Sequence, residues 1–258
     1  MWIRDGLCRL VANVLFVEDS RWPNMFHPRV QAYNALVFEA LTSEERQAFM
    51  TIYNDYFYER HNEMWGALAY RKLSMVLERT NMLVTAEDLG VLPDCVQPTL
   101  DALRILTLEV QTLPKQHGLE FAHLEANPYL SVATISTHDM PPLRLWWQER
   151  PEAAQHYYRD RMQKEGRPPV ALTTTLAEEI VSRHLYSPSM LCLLSLQDWL
   201  AVDAEMRNPD PRSERINIPG DCYNRWSYRM HVNIEQLIAD EQLNKKLRTM
   251  VERSKRNV

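Results

Sequence analysis

The spacing of apolar positions changes several times along this chain, and each change predicts an element. From Leu10 to Val17 runs a β-branched stretch, followed by the polar turn Glu18-Asp19-Ser20-Arg21 and by Phe26-His27-Pro28-Arg29, where the proline excludes a helix interior. The opening to about Val30 therefore reads as irregular or β-rich. Thr42-Ser43-Glu44-Glu45 has the form of an N-cap with acids in the first turn, and it opens a long helix rich in Tyr, Phe and Trp. A second helix is expected from about His61 to Thr80. Met82-Leu83-Val84-Thr85 reads as a short strand, Pro93-Asp94 as a turn and Val96 to Leu103 as a helix. Thr107 to Gln111 alternates as a strand does, and Val132 to Ser136 forms the next apolar run. Pro141-Pro142 delays helix until Leu143, from which helical spacing continues past Tyr158. Pro168-Pro169 marks a loop, Thr173 to Leu185 a helix, and Met190 to Ser195 a fourth apolar strand ending at Gln197-Asp198. The last element, about Asn233 to Arg253, places Ile234, Leu237, Ile238, Leu243 and Leu247 on one helical face.

Strand and helix thus alternate four times, which implies parallel βα units and an α/β fold. Four parallel strands are half of a closed eight-stranded barrel. The expected architecture is the C-terminal half of a (β/α)8 TIM barrel with additional helices. Residues 1–80 would form a helical and irregular insertion, 81–230 the half-barrel and 231–258 a C-terminal helix, all in one partial catalytic domain. No internal repeat, low-complexity tract or interdomain linker interrupts it.

Composition narrows the function classes. With 258 residues, 45% apolar and only 6 glycines, the chain can bury a large core. A net charge of -5 gives no basic field to attract nucleic acid. Cys8, Cys95, Cys192 and Cys222 are far apart and form no CxxC pair, as expected of reduced thiols in a cytoplasmic protein. Arg4, Asp5 and Arg9 break the first residues, and no uncharged apolar stretch approaches the ~18 residues of a membrane span, so neither a signal peptide nor an anchor is expected. Neither a metal nor another cofactor is expected: His27, His61 and the cysteines lack ligand spacing, and His61-Asn62-Glu63 has no PCxxC partner.

Two carboxylate peptides carry the candidate chemistry. Ala86-Glu87-Asp88-Leu89-Gly90 follows the run ending at Thr85, and Ser136-Thr137-His138-Asp139 follows the run ending at Ile135. In a parallel barrel the carboxyl ends of the strands open onto the face that holds the active site. Acids delivered there from two strands suit glycosidic chemistry, in which one carboxylic acid protonates the leaving oxygen and a second carboxylate ~5 to 5.5 Å away attacks the sugar. Glu87, beside an apolar strand end, is suited to the acid role if desolvation raises its pKa. Asp139, beside His138, is suited to stabilising oxocarbenium-like charge.

The stretch Leu83-Val84-Thr85-Ala86-Glu87-Asp88-Leu89-Gly90-Val91-Leu92-Pro93 closely resembles the acid/base strand of the amylomaltases, the 4-α-glucanotransferases. Three further blocks resemble that family in the same order: Thr137-His138-Asp139 with Arg144 and Trp146-Trp147, Leu194 to Leu200, and Arg215-Ile216-Asn217-Ile218-Pro219-Gly220 with Trp226. The wording of Ile135 to Met140 is closer to the long branch of the family, which includes the plant cytosolic enzyme. The resemblance implies that Glu87 is the general acid/base and Asp139 the transition-state stabiliser. It makes His138, Asp88 and Arg144 candidate sugar-binding groups, with Gln197, Asp198, Asn217 and Trp226 in support. It also implies partners among maltose, maltooligosaccharides and longer α-glucans.

One part of the family pattern is missing. The family's nucleophile is an aspartate in an Arg-x-Asp-His type motif before the acid/base strand, and no such motif precedes Glu87. Ile3-Arg4-Asp5-Gly6 lacks the histidine and the offset, so Asp5 is not a substitute. The expectation is therefore the C-terminal half of a glucanotransferase, acting by retention when joined to its first strands. Alone it would be catalytically silent and at most glucan-binding, and a half-barrel with open sheet edges would tend to self-associate. An α-glucan hydrolase is the weaker alternative.

Overall fold

The computed structural model of the chain describes residues 2–90 and 92–256. Val91, within the acid/base peptide, and the last two positions assigned to the C-terminal helix lie outside the described residues. The chain divides into two compact units, one of Met1–Asn81 with Pro93–Thr99 and one of Met82–Leu92 with Leu100–Val258.

The first unit begins with helix α1 (Trp2–Val11), where irregular or β structure was expected. Ile3, Leu7, Leu10 and Val11 recur at helical spacing, and this period outweighs the β-branched character of the run that follows. Strands β1 (Phe16–Glu18) and β2 (Phe26–Pro28) pair antiparallel with Phe16 opposite Pro28. The Asp19 carboxylate shapes the turn between them by accepting the backbone N–H groups of Arg21 at 2.7 Å and Trp22 at 3.0 Å.

Helix α2 (Leu36–Glu39) leads to α3 (Ser43–Asn54). Thr42 caps α3 in a reciprocal box: its hydroxyl accepts the Glu45 N–H at 3.3 Å, and the Glu45 carboxylate accepts the Thr42 N–H at 2.9 Å. A π-helical turn over Asp55–Arg60 joins α3 to α4 (His61–Leu77), so the two expected helices run together without a loop. Phe49 and Tyr53 of α3 pack with Ala32 as the core of this unit, with the ring of Phe16 5.3 Å and that of Phe38 5.7 Å from Phe49. His61 stacks on Trp65 at 5.4 Å, so the sequence His61-Asn62-Glu63 belongs to helix packing.

The second unit is built on a parallel sheet. After α5 (Val96–Leu103), strands β3 (Thr107–Val110), β4 (Ser131–Thr134) and β5 (Leu191–Cys192) lie in the order β3-β4-β5, with Thr107 beside Ser131 and Val132 beside Leu191. The run Met82 to Thr85 contributes a single parallel bridge, Thr85 to Leu106, closed by Ala86 N–H to Leu106 O at 2.8 Å and Leu106 N–H to Val84 O at 3.0 Å. The pattern α/β with parallel strands is thus observed, with the first expected strand reduced to that bridge.

Helices α6 (Leu143–Glu149) and α7 (Pro151–His156) replace the single helix expected from Leu143. The break falls at Arg150, whose non-helical backbone precedes Pro151 at the first position of α7. Helix α8 (Thr174–Leu185), capped by Thr173, buries Leu176, Ala177, Ile180, Val181 and Leu185. The expected strand through Ser195 stops early because the Ser195 hydroxyl caps α9 (Leu196–Leu200), which makes Gln197 and Asp198 helical rather than strand-tip residues. The final amphipathic stretch is two helices, α10 (Ile234–Ala239) and α11 (Glu241–Arg253), because Asp240 leaves helical geometry to cap α11. Trp147, Ile180, Val181, Leu200 and Leu243, each at most 2% exposed, centre the core of this unit.

Candidate active site

Glu87 follows the Thr85 bridge, and His138 and Asp139 follow β4, so parallel segments on either side of β3 deliver them at their carboxyl ends. Ligand atoms of Glu87, His138 and Asp139 all lie within 4.8 Å of one another. His138 Nε2 is 3.5 Å from Asp139 Oδ2. The turn carrying them is closed by Met140 N–H to Thr137 O at 3.1 Å, and the Thr137 hydroxyl accepts the Asp139 N–H at 3.3 Å. Gly90, at φ +89°, permits the left-handed turn just after Glu87.

Asp139 is held from its other side. Asn217 Nδ2 donates to Asp139 Oδ1 at 2.6 Å, and Asn224 Nδ2 donates to Asn217 Oδ1 at 2.5 Å. The second bond fixes which end of the Asn217 amide faces the carboxylate. Trp226 stands beside His138, ring centroids 4.9 Å apart and tilted by 43°. Thus Glu87, His138, Asp139, Asn217 and Trp226 converge, and two carboxylates with one imidazole at this spacing are also a donor set that could hold a divalent cation.

The other expected residues stand apart from this group. Asp88 is 5% exposed and accepts Leu108 N–H at 2.8 Å and Lys115 Nζ at 2.6 Å. Lys115 also reaches Glu109 at 2.8 Å, so Asp88 anchors the acid-bearing segment to β3. Arg144, 7% exposed, donates to Glu214 and to Asn208 O, each at 2.7 Å. It too is held as an internal strut. Gln197 Nε2 donates to Glu214 O at 3.1 Å, and fully buried Asp198 accepts the Ser195 hydroxyl at 2.7 Å and Leu143 N–H at 3.3 Å. Burial pushes the Asp198 carboxyl up to about 6 and that of Glu214 up to about 7, with Arg144 opposing the latter. The expected apolar enclosure of Glu87 is not formed: Glu87 is exposed, as are Met82 and Leu83 before it.

Sequence reasoning did not single out Lys115, Glu214 or Asn224. Glu214 immediately precedes the Arg215 to Gly220 block and Asn224 lies two residues before Trp226, so proximity to the motif was a usable signal for both. Lys115 carried none. Asp5 lies on α1, paired with its neighbour Arg4 at 3.1 Å.

The family model described as 4-alpha-glucanotransferase matches residues 17–235. The 4-alpha-glucanotransferase DPE2 of Oryza sativa subsp. japonica is 30% identical over 255 residues, covering 99% of this chain and 27% of that protein. A 4-alpha-glucanotransferase of Chlamydia muridarum is 32% identical, covering 69% of this chain and 34% of that protein. This chain therefore spans about a quarter to a third of the relatives it matches. Among solved structures, the amylomaltase of Streptococcus agalactiae, in complex with acarbose, aligns with a TM-score of 0.56 at 16% identity over 75% of this chain and 35% of that one. The amylomaltase of Corynebacterium glutamicum aligns with a TM-score of 0.50 at 21% identity over 74% of this chain and 31% of that one. A matching family model over most of the chain, relatives of one description and a shared fold agree: this chain belongs to the 4-alpha-glucanotransferase family.

Proposed function

We propose that this chain supplies the acid/base and the charge-stabilising carboxylate of a retaining 4-α-glucanotransferase that acts on maltose, maltooligosaccharides or longer α-glucans. The observation that carries the reading is the convergence of Glu87, His138 and Asp139, within 4.8 Å, from two parallel segments that flank β3. In this mechanism Glu87 protonates the departing glycosidic oxygen while a nucleophilic aspartate attacks the anomeric carbon from the opposite face. Asp139 faces the developing positive charge, held in place by Asn217. His138 hydrogen-bonds the donor sugar, with Trp226 beside it. Glu87 then removes the proton from a sugar 4-hydroxyl that takes over the glucosyl unit.

The nucleophile belongs, in this reading, to a segment outside the present chain, because no Arg-x-Asp-His motif occurs in it. The same segment would complete the barrel of which β3, β4, β5 and the Thr85 bridge form part, and would shelter Glu87 from water so that a sugar is preferred as acceptor. Four cysteines without a disulfide fit a cytoplasmic setting. None of the described helices is long and apolar enough to cross a membrane.

The test is made in the protein that joins this chain to its Arg-x-Asp-His segment. Glu87→Gln there should abolish glucosyl transfer between maltose and longer glucans, and wild-type turnover in that variant would sink the reading. The missing motif favours a second statement, that the chain alone is silent. Incubated with maltotriose, the isolated chain should leave the sugar unchanged; shorter and longer products would refute this.

A further inference from the structure

A cavity of about 460 Å³ in the second unit is lined by four arginines, Arg212, Arg215, Arg225 and Arg229, against a single carboxylate, Glu149. The concentration of cationic groups is unexpected in a chain whose net charge is -5. Two of the four are already engaged. Arg215 pairs with Glu149 at 3.2 Å and donates from Nε to Asn217 O at 3.1 Å, while Arg229 donates to Tyr228 O at 2.9 Å. Arg212 and Arg225 are exposed, and neither guanidinium has a protein acceptor among the described residues. Left alone, these charges repel; an anion between them would relieve that repulsion and use both forks.

We infer that this cavity binds a phosphate group, free or esterified to a sugar, through Arg212 and Arg225. Phosphate has the dianionic charge and the several oxygens that two guanidinium forks can share. Ser227 and Tyr228, both hydroxyl-bearing residues, belong to the same lining. The volume falls within the range of small-molecule sites. Asn224 also lines the cavity and donates to Asn217, so an occupant would sit behind the amide that holds Asp139. The inference concerns binding alone and stands whether or not the chain takes part in glucosyl transfer.

The purified chain is titrated calorimetrically with inorganic phosphate, glucose 6-phosphate and glucose at one ionic strength held by sodium chloride. Saturable binding of a phosphate-bearing probe is expected, with none by glucose. Tighter binding of glucose 6-phosphate than of inorganic phosphate would assign the site to sugar phosphates, and equal binding would assign it to the free anion. The double substitution Arg212→Gln with Arg225→Gln should weaken binding at least ten-fold with an unchanged circular dichroism spectrum. Arg212→Lys with Arg225→Lys, which keeps the charge and loses the forks, should weaken it less. Absence of saturable binding by both phosphate probes, or equal affinity in the parent and the Gln variant, would overturn the inference.

Discussion

Asp139 shows how a single side chain acquires its position. One oxygen faces His138 at 3.5 Å and the other accepts from Asn217 at 2.6 Å, so rotation of the carboxylate breaks a contact on one side or the other. Asn217→Ala in the nucleophile-bearing protein should therefore lower kcat at least ten-fold, about 1.4 kcal/mol of transition-state stabilisation, with a smaller change in KM. Steady-state kinetics on maltotriose check this, and an unchanged kcat would show that Asp139 does not depend on the amide. The sequence marked Glu87, His138, Asp139, Asn217 and Trp226, and these do come together. It could not separate them from Asp88 and Arg144, because a charged residue in a motif looks the same whether it faces a cleft or closes an internal ion pair. That distinction depends on Lys115 and Glu214, partners far along the chain whose presence no local spacing reveals.

At the scale of elements, local chemistry was legible and junctions were not. Thr42 and Thr173 cap the helices they were expected to open, since a cap depends on three or four consecutive residues. Asp240 and Ser195 also cap helices, but there the capping residue ends what periodicity alone would continue. Asp198 ties α9 to α6 by accepting Ser195 Oγ and Leu143 N–H, and its buried carboxyl titrates near 6 against 3.8 for an ordinary aspartate. The fold thus holds the proton more tightly than the unfolded chain does. Its contribution to stability is complete below about pH 4 and is lost as pH rises through 6. Asp198→Asn keeps the carbonyl acceptor and removes the titration. The variant should gain stability relative to the parent between pH 4 and pH 7, by on the order of 3 kcal/mol. Urea unfolding at the two pH values measures the difference; a gap that does not widen would refute the account.

For the whole molecule, the parallel sheet ends at the Thr85 bridge on one side and at β5 on the other among the described residues. Unpaired strand edges recruit other strands unless something covers them. The isolated chain should accordingly sediment as oligomers whose mass falls with dilution, and a concentration-independent monomer would show that the edges are shielded. The α/β class and the parallel sense of the strands were readable from alternating apolar runs because each βα unit is local. The division into two units was not, since Pro93–Thr99 joins the first unit after Met82–Leu92 has joined the second, and such a crossing leaves no mark in hydropathy.

The hydrogen bond from Asn217 to Asp139 spans 78 positions of the chain, whereas the ladder between β3 and β4 joins segments much closer in sequence. Closing the longer loop costs more chain entropy and is repaid only once the intervening elements have collapsed. The Asn217 brace on Asp139 should therefore form after the β3–β4 ladder, and mild denaturant should release the brace while that ladder persists.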